Sequence, residues 1–150
     1  RAVSRPSLPN APPKSPQPSA ELVAEAARLL SNAKNPVILA GRCSRSVAGW
    51  NARVALAEKL NAPVFTFVKL AAAFPTTHRL HPIPPFQGLP KSAAALIKSA
   101  DVILALDWLD LAGTFKQAYG GEAWSSQIVK LLEDALHTDL RAPGFPAELE

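Results

Sequence analysis

The chain holds 150 residues, 48% hydrophobic and 19% charged, with a formal net charge of +4; that length suits one domain with a core of useful size, and that composition excludes a disordered chain. Its basic residues are scattered rather than gathered on one face or in a tail, which argues against a nucleic-acid partner. No apolar run nears the ~20 residues of a spanning helix, and no signal-peptide pattern opens the chain.

The single cysteine, Cys43, excludes an internal disulfide and fits a reducing, cytoplasmic setting. The chain opens on Arg1 and contains no Met, so a piece of a longer protein is expected. Residues 1–18 carry Pro6, Pro9, Pro12, Pro13, Pro16 and Pro18 without hydrophobic periodicity. Such a segment runs extended, partly as polyproline II, and reads as an interdomain linker; a ligand for a proline-recognition domain is the rival.

Ser19 then caps a helix, with Glu21 in the first turn where the helix dipole favours an anion. Leu22, Val23, Ala26, Leu29 and Leu30 recur at helical spacing and make one apolar face. After Asn32 to Asn35 comes Val37-Ile38-Leu39-Ala40, a wholly apolar run between Pro36 and Gly41. It suits a strand buried on both faces of a parallel sheet. Gly41 allows a tight turn there, and the next helix aims its first N–H groups at the same edge, where ligands bind in open α/β sheets.

That second helix runs from about Val47 to Leu60, with Val47, Trp50, Val54, Ala57 and Leu60 on one side. Asn61 suits the left-handed position after it and Pro63 blocks continuation. Val64 to Val68 is a β-branched and aromatic strand, completing a βαβ unit with a right-handed crossover. From Lys69 to Pro90 the chain is irregular and proline-rich, with one very short strand expected near Arg79 to Ile83. Helix returns at about Lys91 to Ser99, strand at Val102 to Leu106, helix at about Leu111 to Tyr119, and strand at Gln127 to Leu131. This alternation specifies an α/β fold, a parallel sheet with helices on both faces. Residues 19–136 are its expected extent, and residues 137–150 a patternless tail.

Three segments carry a resemblance. They are Ala33 to Gly41; Leu56 to Val64, with Phe74-Pro75 and His78 following; and Ser99 to Leu106. In that order and spacing, across roughly Glu21 to Asp134, the chain resembles the central domain of thiamine-diphosphate-dependent enzymes of the acetolactate synthase and pyruvate decarboxylase kind. The resemblance implies a three-layer, Rossmann-like domain of six parallel strands, similar to the DHS-like NAD/FAD-binding domains, set between two flanking domains. The tail after Leu131 stops short of the family's last strand and helix. Thiamine diphosphate and magnesium would sit between the flanking domains of the parent, which would be a homo-oligomeric lyase or transferase acting on 2-oxo acids. No Gly-Asp-Gly followed by a distant Asn pair occurs in this chain, so no catalysis by the chain alone is expected.

In some relatives the central domain holds FAD or ADP along the strand carboxyl ends, and in others it holds nothing. The matching positions are Gly41, Arg42 and Cys43 with Arg45 nearby, then Val68, Lys69 and Leu70, then Asp107 and Trp108. Arg42 and Arg45 beside a helix start suit a phosphate; the rivals are plain solvation and pairing with Asp107 or Asp110 across the strand ends. Flavin-binding members resemble one another in a Gly-X-Arg turn after the third strand. Here Asp107-Trp108-Leu109-Asp110 stands in its place, and two carboxylates there repel a diphosphate. The segment after His78 also departs from the family's Gly- and His-rich pattern.

Cys43 sits where a thiol pKa is lowered, but no His/Asn set argues for a nucleophile. His78, His81 and His137 match no zinc spacing, and the first two read as loop residues near a domain contact. Asp110 suits a helix cap better than a metal. Trp108, Phe74, Phe86 and Trp124 are candidates for a surface facing flanking domains, with core packing as the default. Two rival functions remain: a stand-alone nucleotide-binding regulatory module, and an independent Rossmann-like enzyme using Cys43 or Asp107.

Overall fold

The computed structural model describes residues 19–70, 73–122 and 127–131. The linker of residues 1–18, Trp124, His137 and the tail of residues 137–150 lie outside the described residues. In chain order the elements are α1 (Ala20–Asn32), β1 (Pro36–Ala40), α2 (Val47–Leu60), β2 (Val64–Thr66), α3 (Lys91–Ser99), β3 (Val102–Leu106), α4 (Leu111–Tyr119) and β4 (Gln127–Leu131). The strands form one parallel sheet in the order β2-β1-β3-β4.

Alternation along the strands explains the three layers. Val37, Leu39, Phe65, Ile103 and Ala105 point to one face and pack on Ala93 and Ile97 of α3 and Phe115, Ala118 and Tyr119 of α4. Ile38, Ala40, Val64, Val102 and Leu104 point to the other, against Leu30 of α1 and Ala57 of α2. Every residue of β1 is buried, as an apolar run with no alternation requires when both faces are covered.

The helix ends follow their residue chemistry. Ser19 Oγ accepts from the Leu22 N–H at 3.2 Å, Ser46 Oγ from Gly49 at 3.0 Å, and Asp110 Oδ1 from Gly113 at 2.8 Å, so α1, α2 and α4 each start with a side-chain acceptor for an orphan donor, while α3 follows Pro90 without one. Asn61 ends α2 in the left-handed region at φ 49°, a conformation Asn tolerates.

Three expectations need correction. β2 stops at Thr66 rather than Val68; Phe67 makes only a single parallel bridge, to Phe86. The short strand expected near Arg79 to Ile83 is absent among the described residues: Leu80 O accepts a single bond from the Val64 N–H of β2, and the one parallel bridge forms further on, at Phe86. Val47 does not belong to the buried side of α2: it is 76% exposed, standing at the helix start beyond the reach of the sheet.

Candidate functional site

β1 leads through α2 to β2 on one side, while β3 leads through α4 to β4 on the other. The order β2-β1-β3-β4 therefore reverses direction between β1 and β3, and the crevice at such a switch point is where α/β sheets bind ligands. The residues at that crevice are those following β1 and β3: Gly41, Arg42 and Cys43 on one side, Asp107 and Trp108 on the other.

The chain fills this crevice with its own atoms. The Gly41 N–H donates to the Leu106 carbonyl at 2.9 Å, and the Arg42 N–H to that of Asp107 at 3.1 Å. The β1–β3 ladder thus runs on beyond its strands. A Cβ on Gly41 would collide with the Asp107 carbonyl and the Trp108 Cα, so this glycine serves the close approach of two backbones. Asp107 takes the left-handed region, φ 43°, which turns its carbonyl toward Arg42 and its carboxylate inward.

That carboxylate belongs to a residue only 4% exposed. Arg42 Nη2 donates to Asp107 Oδ1 at 3.0 Å, and Arg42 Nε lies 2.9 Å from Oδ2. Only the first is aligned as a hydrogen bond; the Nε contact is an ion-pair contact whose N–H is directed elsewhere. One hydrogen bond between two ionised groups, backed by a second close charge contact, is stronger than a neutral hydrogen bond. The pairing of Arg42 with Asp107, weighed in the sequence against a phosphate, is the one that forms.

The turn into α2 is similarly engaged. The Cys43 N–H donates to Gly41 O at 2.9 Å, that of Ser46 to Ser44 Oγ at 3.2 Å, and that of Gly49 to Ser46 Oγ at 3.0 Å. Cys43 is half-buried with its thiol toward the Leu106 carbonyl at 4.0 Å. Its backbone donor is no longer open to an anion.

The other candidate positions divide. Trp108 is buried, its Nε1–H donating to Thr114 Oγ1 at 2.8 Å and its ring meeting Phe67 edge-on. Phe74 and Phe86 are buried as well, so of the four aromatics expected at a domain contact these three pack in the core. Asp110 is the α4 cap. Arg45, Val68 and Lys69 are exposed beyond the sheet edge, and Leu70 is half-buried.

Sequence reasoning missed a second polar cluster, at the carboxyl end of β2. His81 Nε2 lies 2.9 Å from Thr66 Oγ1, both residues being buried, and the His81 ring stacks on Phe74 with centroids 6.3 Å apart. His78 meets the same Phe74 ring edge-on, with its Nε2 3.2 Å from Glu58 Oε1. A cleft of about 370 Å³ opens here, lined among others by Trp50, Thr66, Phe74, Pro75, Thr77 and Pro85. The available signal was Thr66, the one hydroxyl inside Val64-Phe65-Thr66-Phe67-Val68; a buried hydroxyl needs a partner.

The comparisons agree with this architecture. The family model described as "Thiamine pyrophosphate enzyme, central domain" matches residues 23–130. A Rhizobium meliloti (strain 1021) protein named "Probable sulfoacetaldehyde acetyltransferase" is 48% identical over 84 residues, which are 56% of this chain and 14% of that protein. The sulfoacetaldehyde acetyltransferase of Alcaligenes xylosoxydans xylosoxydans is 38% identical over 117 residues, 77% of this chain and 19% of that one. The chain thus spans under a fifth of the length of these curated relatives. Among solved structures, an enzyme from Mycobacterium smegmatis described as thiamin diphosphate-dependent matches with a TM-score of 0.59 at 21% identity, over 93% of this chain and 25% of that one. At that identity the match speaks for the fold.

Proposed function

The chain belongs to the thiamine pyrophosphate enzyme central-domain family, and we propose that it is a non-catalytic structural body between two flanking domains of a longer thiamine-diphosphate-dependent transferase. The observation that carries this is the switch point itself. Where a ligand-binding relative would open a crevice, Asp107 and Arg42 neutralise each other and Gly41 admits the neighbouring backbone. The names of the relatives favour acetyl transfer involving sulfoacetaldehyde as the parent reaction, within the broader 2-oxo acid chemistry the family resemblance implies. In this reading the parent is a cytoplasmic homo-oligomer whose assembly contacts lie mainly in the flanking domains.

The residues present do not fit the thiamine diphosphate–magnesium group. Among the described residues no three His, Cys, Asp or Glu side chains converge to hold a metal. The flanking domains would hold that group. The 150-residue chain is therefore expected to show no turnover of sulfoacetaldehyde and no rise in melting temperature with thiamine diphosphate and magnesium. A longer chain carrying both flanking domains is expected to show both. A ligand at ~100 times its Kd adds roughly 2.7 kcal/mol; a rise of that size in the 150-residue chain overturns the proposal.

One observation favours a second reading, with ADP or FAD held at the sheet edge. Arg45 and Lys69, beyond the carboxyl ends of β1 and β2, are exposed cations with no ion-pair partner among the described residues. A diphosphate lying outside the closed crevice would be held by these two rather than by Arg42. An ADP-dependent rise in melting temperature that Arg45→Ala or Lys69→Ala removes would favour it.

A further inference from the structure

We propose that residues 73–86 form a strap over the open edge of β2, clasped through a neutral His81 and released when that ring takes up a proton. Among the described residues β2 is an edge strand of the sheet, and an uncovered edge presents unpaired backbone groups to other chains. The strap covers this one. The Val64 N–H donates to Leu80 O at 2.7 Å, the Phe86 N–H to Thr66 O at 3.2 Å, and the Val68 N–H to Phe86 O at 3.0 Å.

His81 lies between the two anchors at Leu80 and Phe86. Its Nε2 is bonded to Thr66 Oγ1, its ring lies on Phe74, and its Nδ1 is buried without a hydrogen-bond partner. A neutral ring with its proton on Nε2 donates to Thr66 and leaves Nδ1 as a bare acceptor. A second proton places a charged N–H in a buried site where only the residue's own backbone can accept from it, and burial outweighs that help.

The charged groups around the ring give the proton no help. From α2, Glu58 is already 3.2 Å from His78, and Arg53 donates through Nε to the Ala73 carbonyl at 2.8 Å. From the strap itself, Arg79 donates to Asn61 Oδ1 at 2.9 Å. β2 carries no charged residue. A positive charge on His78 is met by a carboxylate; one on His81 finds arginines and no free carboxylate among the described residues.

Burial holds the His81 pKa below its ordinary value. The clasp is therefore at full strength above the ordinary imidazole value of about 6.5, and weakens as pH falls from there through the lowered folded value. The strap supplies Phe74, Pro75, Thr76, Thr77 and Pro85 to the cleft, so its release opens the cleft wall together with the β2 edge.

Amide hydrogen exchange on the 150-residue chain tests this directly. Between about pH 7.5 and about pH 5.5, protection factors for the Val64, Val68 and Phe86 amides are expected to fall by up to roughly tenfold, with β3 amides unchanged. His81→Gln keeps an N–H for Thr66 but cannot titrate, and its profile is expected to be flat; His78→Gln is expected to retain the fall. Should His81→Gln fail to fold, an NMR titration of the wild-type imidazoles carries the test, with His81 titrating below an ordinary histidine. No fall in the wild type, an equal fall in His81→Gln, or a His81 that titrates normally overturns the proposal.

Discussion

The β1–β3 switch point and the edge of β2 lie at the same carboxyl side of the sheet, yet they are built in opposite ways. At the switch point the polar groups that would meet a ligand are joined to each other: Arg42 to Asp107 by side chain and backbone, and Gly41 to Leu106. The one buried donor left without a hydrogen bond there, Arg42 Nε, still lies 2.9 Å from the Asp107 carboxylate, whereas beside β2 the buried Arg53 Nη2 and His81 Nδ1 have neither a hydrogen bond nor an ion-pair contact among the described residues. Location on a fold does not make a site. What matters is whether the groups there still have hydrogen bonds to give.

The difference can be broken from either end. The largest effect belongs to Gly41→Ala, because the obstacle is the backbone of Asp107 and Trp108 rather than a flexible side chain. A loss of about 3 kcal/mol or more is expected in urea unfolding. A near-neutral result would mean the two strand ends are not in contact.

Arg42→Ala comes next. It leaves the buried Asp107 carboxylate without its cation; Arg42 is 31% exposed at its side chain, so water softens the penalty to about 2 kcal/mol. The double variant with Asp107→Asn should recover part of that loss if the pair is the cause.

At the amino ends of the same strands, Asp101 accepts from the Lys34 and Asn35 N–H groups at 2.6 and 2.9 Å. Burial pulls its pKa up, but these N–H groups outweigh it and leave the carboxyl below its ordinary value. Its contribution is thus full above the usual carboxylate range and is lost as pH falls through the folded value, well below the window of His81. Asp101→Ala is expected to cost about 1–2 kcal/mol near neutral pH and to flatten the acid limb of the stability profile.

The smallest effect is Thr66→Val at the β2 edge, about 1 kcal/mol for one hydrogen bond with shape retained. Its value lies in the comparison: if it exceeds Arg42→Ala, the strap and not the switch point is the better-knit region.

Much of this was legible in the residues. The four strands, the four helices, the caps at Ser19 and Asp110 and the left-handed Asn61 all follow from local pattern, because apolar runs, turn residues and cap chemistry act over a few positions. The pairing of Arg42 with Asp107 was one of several alternatives in the sequence, beside a phosphate, plain solvation and Asp110; choosing among them takes the β1–β3 neighbourhood, which strand spacing does not encode. The burial of Trp108, Phe74 and Phe86 was harder, since they sit in irregular chain with no periodicity to assign a face. The His81–Thr66 clasp joins residues 15 apart through a proline-rich loop, and only the lone hydroxyl in an apolar strand hinted at it. Val47 misled because helical spacing marks a face without saying how far along the helix that face stays covered.

The central claim is that the chain's own ion pair closes the switch point, and a melting comparison with ADP and FAD tests it most directly. At concentrations ample for a nucleotide-binding relative, neither ligand should raise the melting temperature of the wild-type chain or of Arg42→Ala. A rise of roughly 2.7 kcal/mol equivalent with either nucleotide, abolished by Arg42→Ala, would show that Arg42 releases Asp107 to hold a phosphate and would contradict the account.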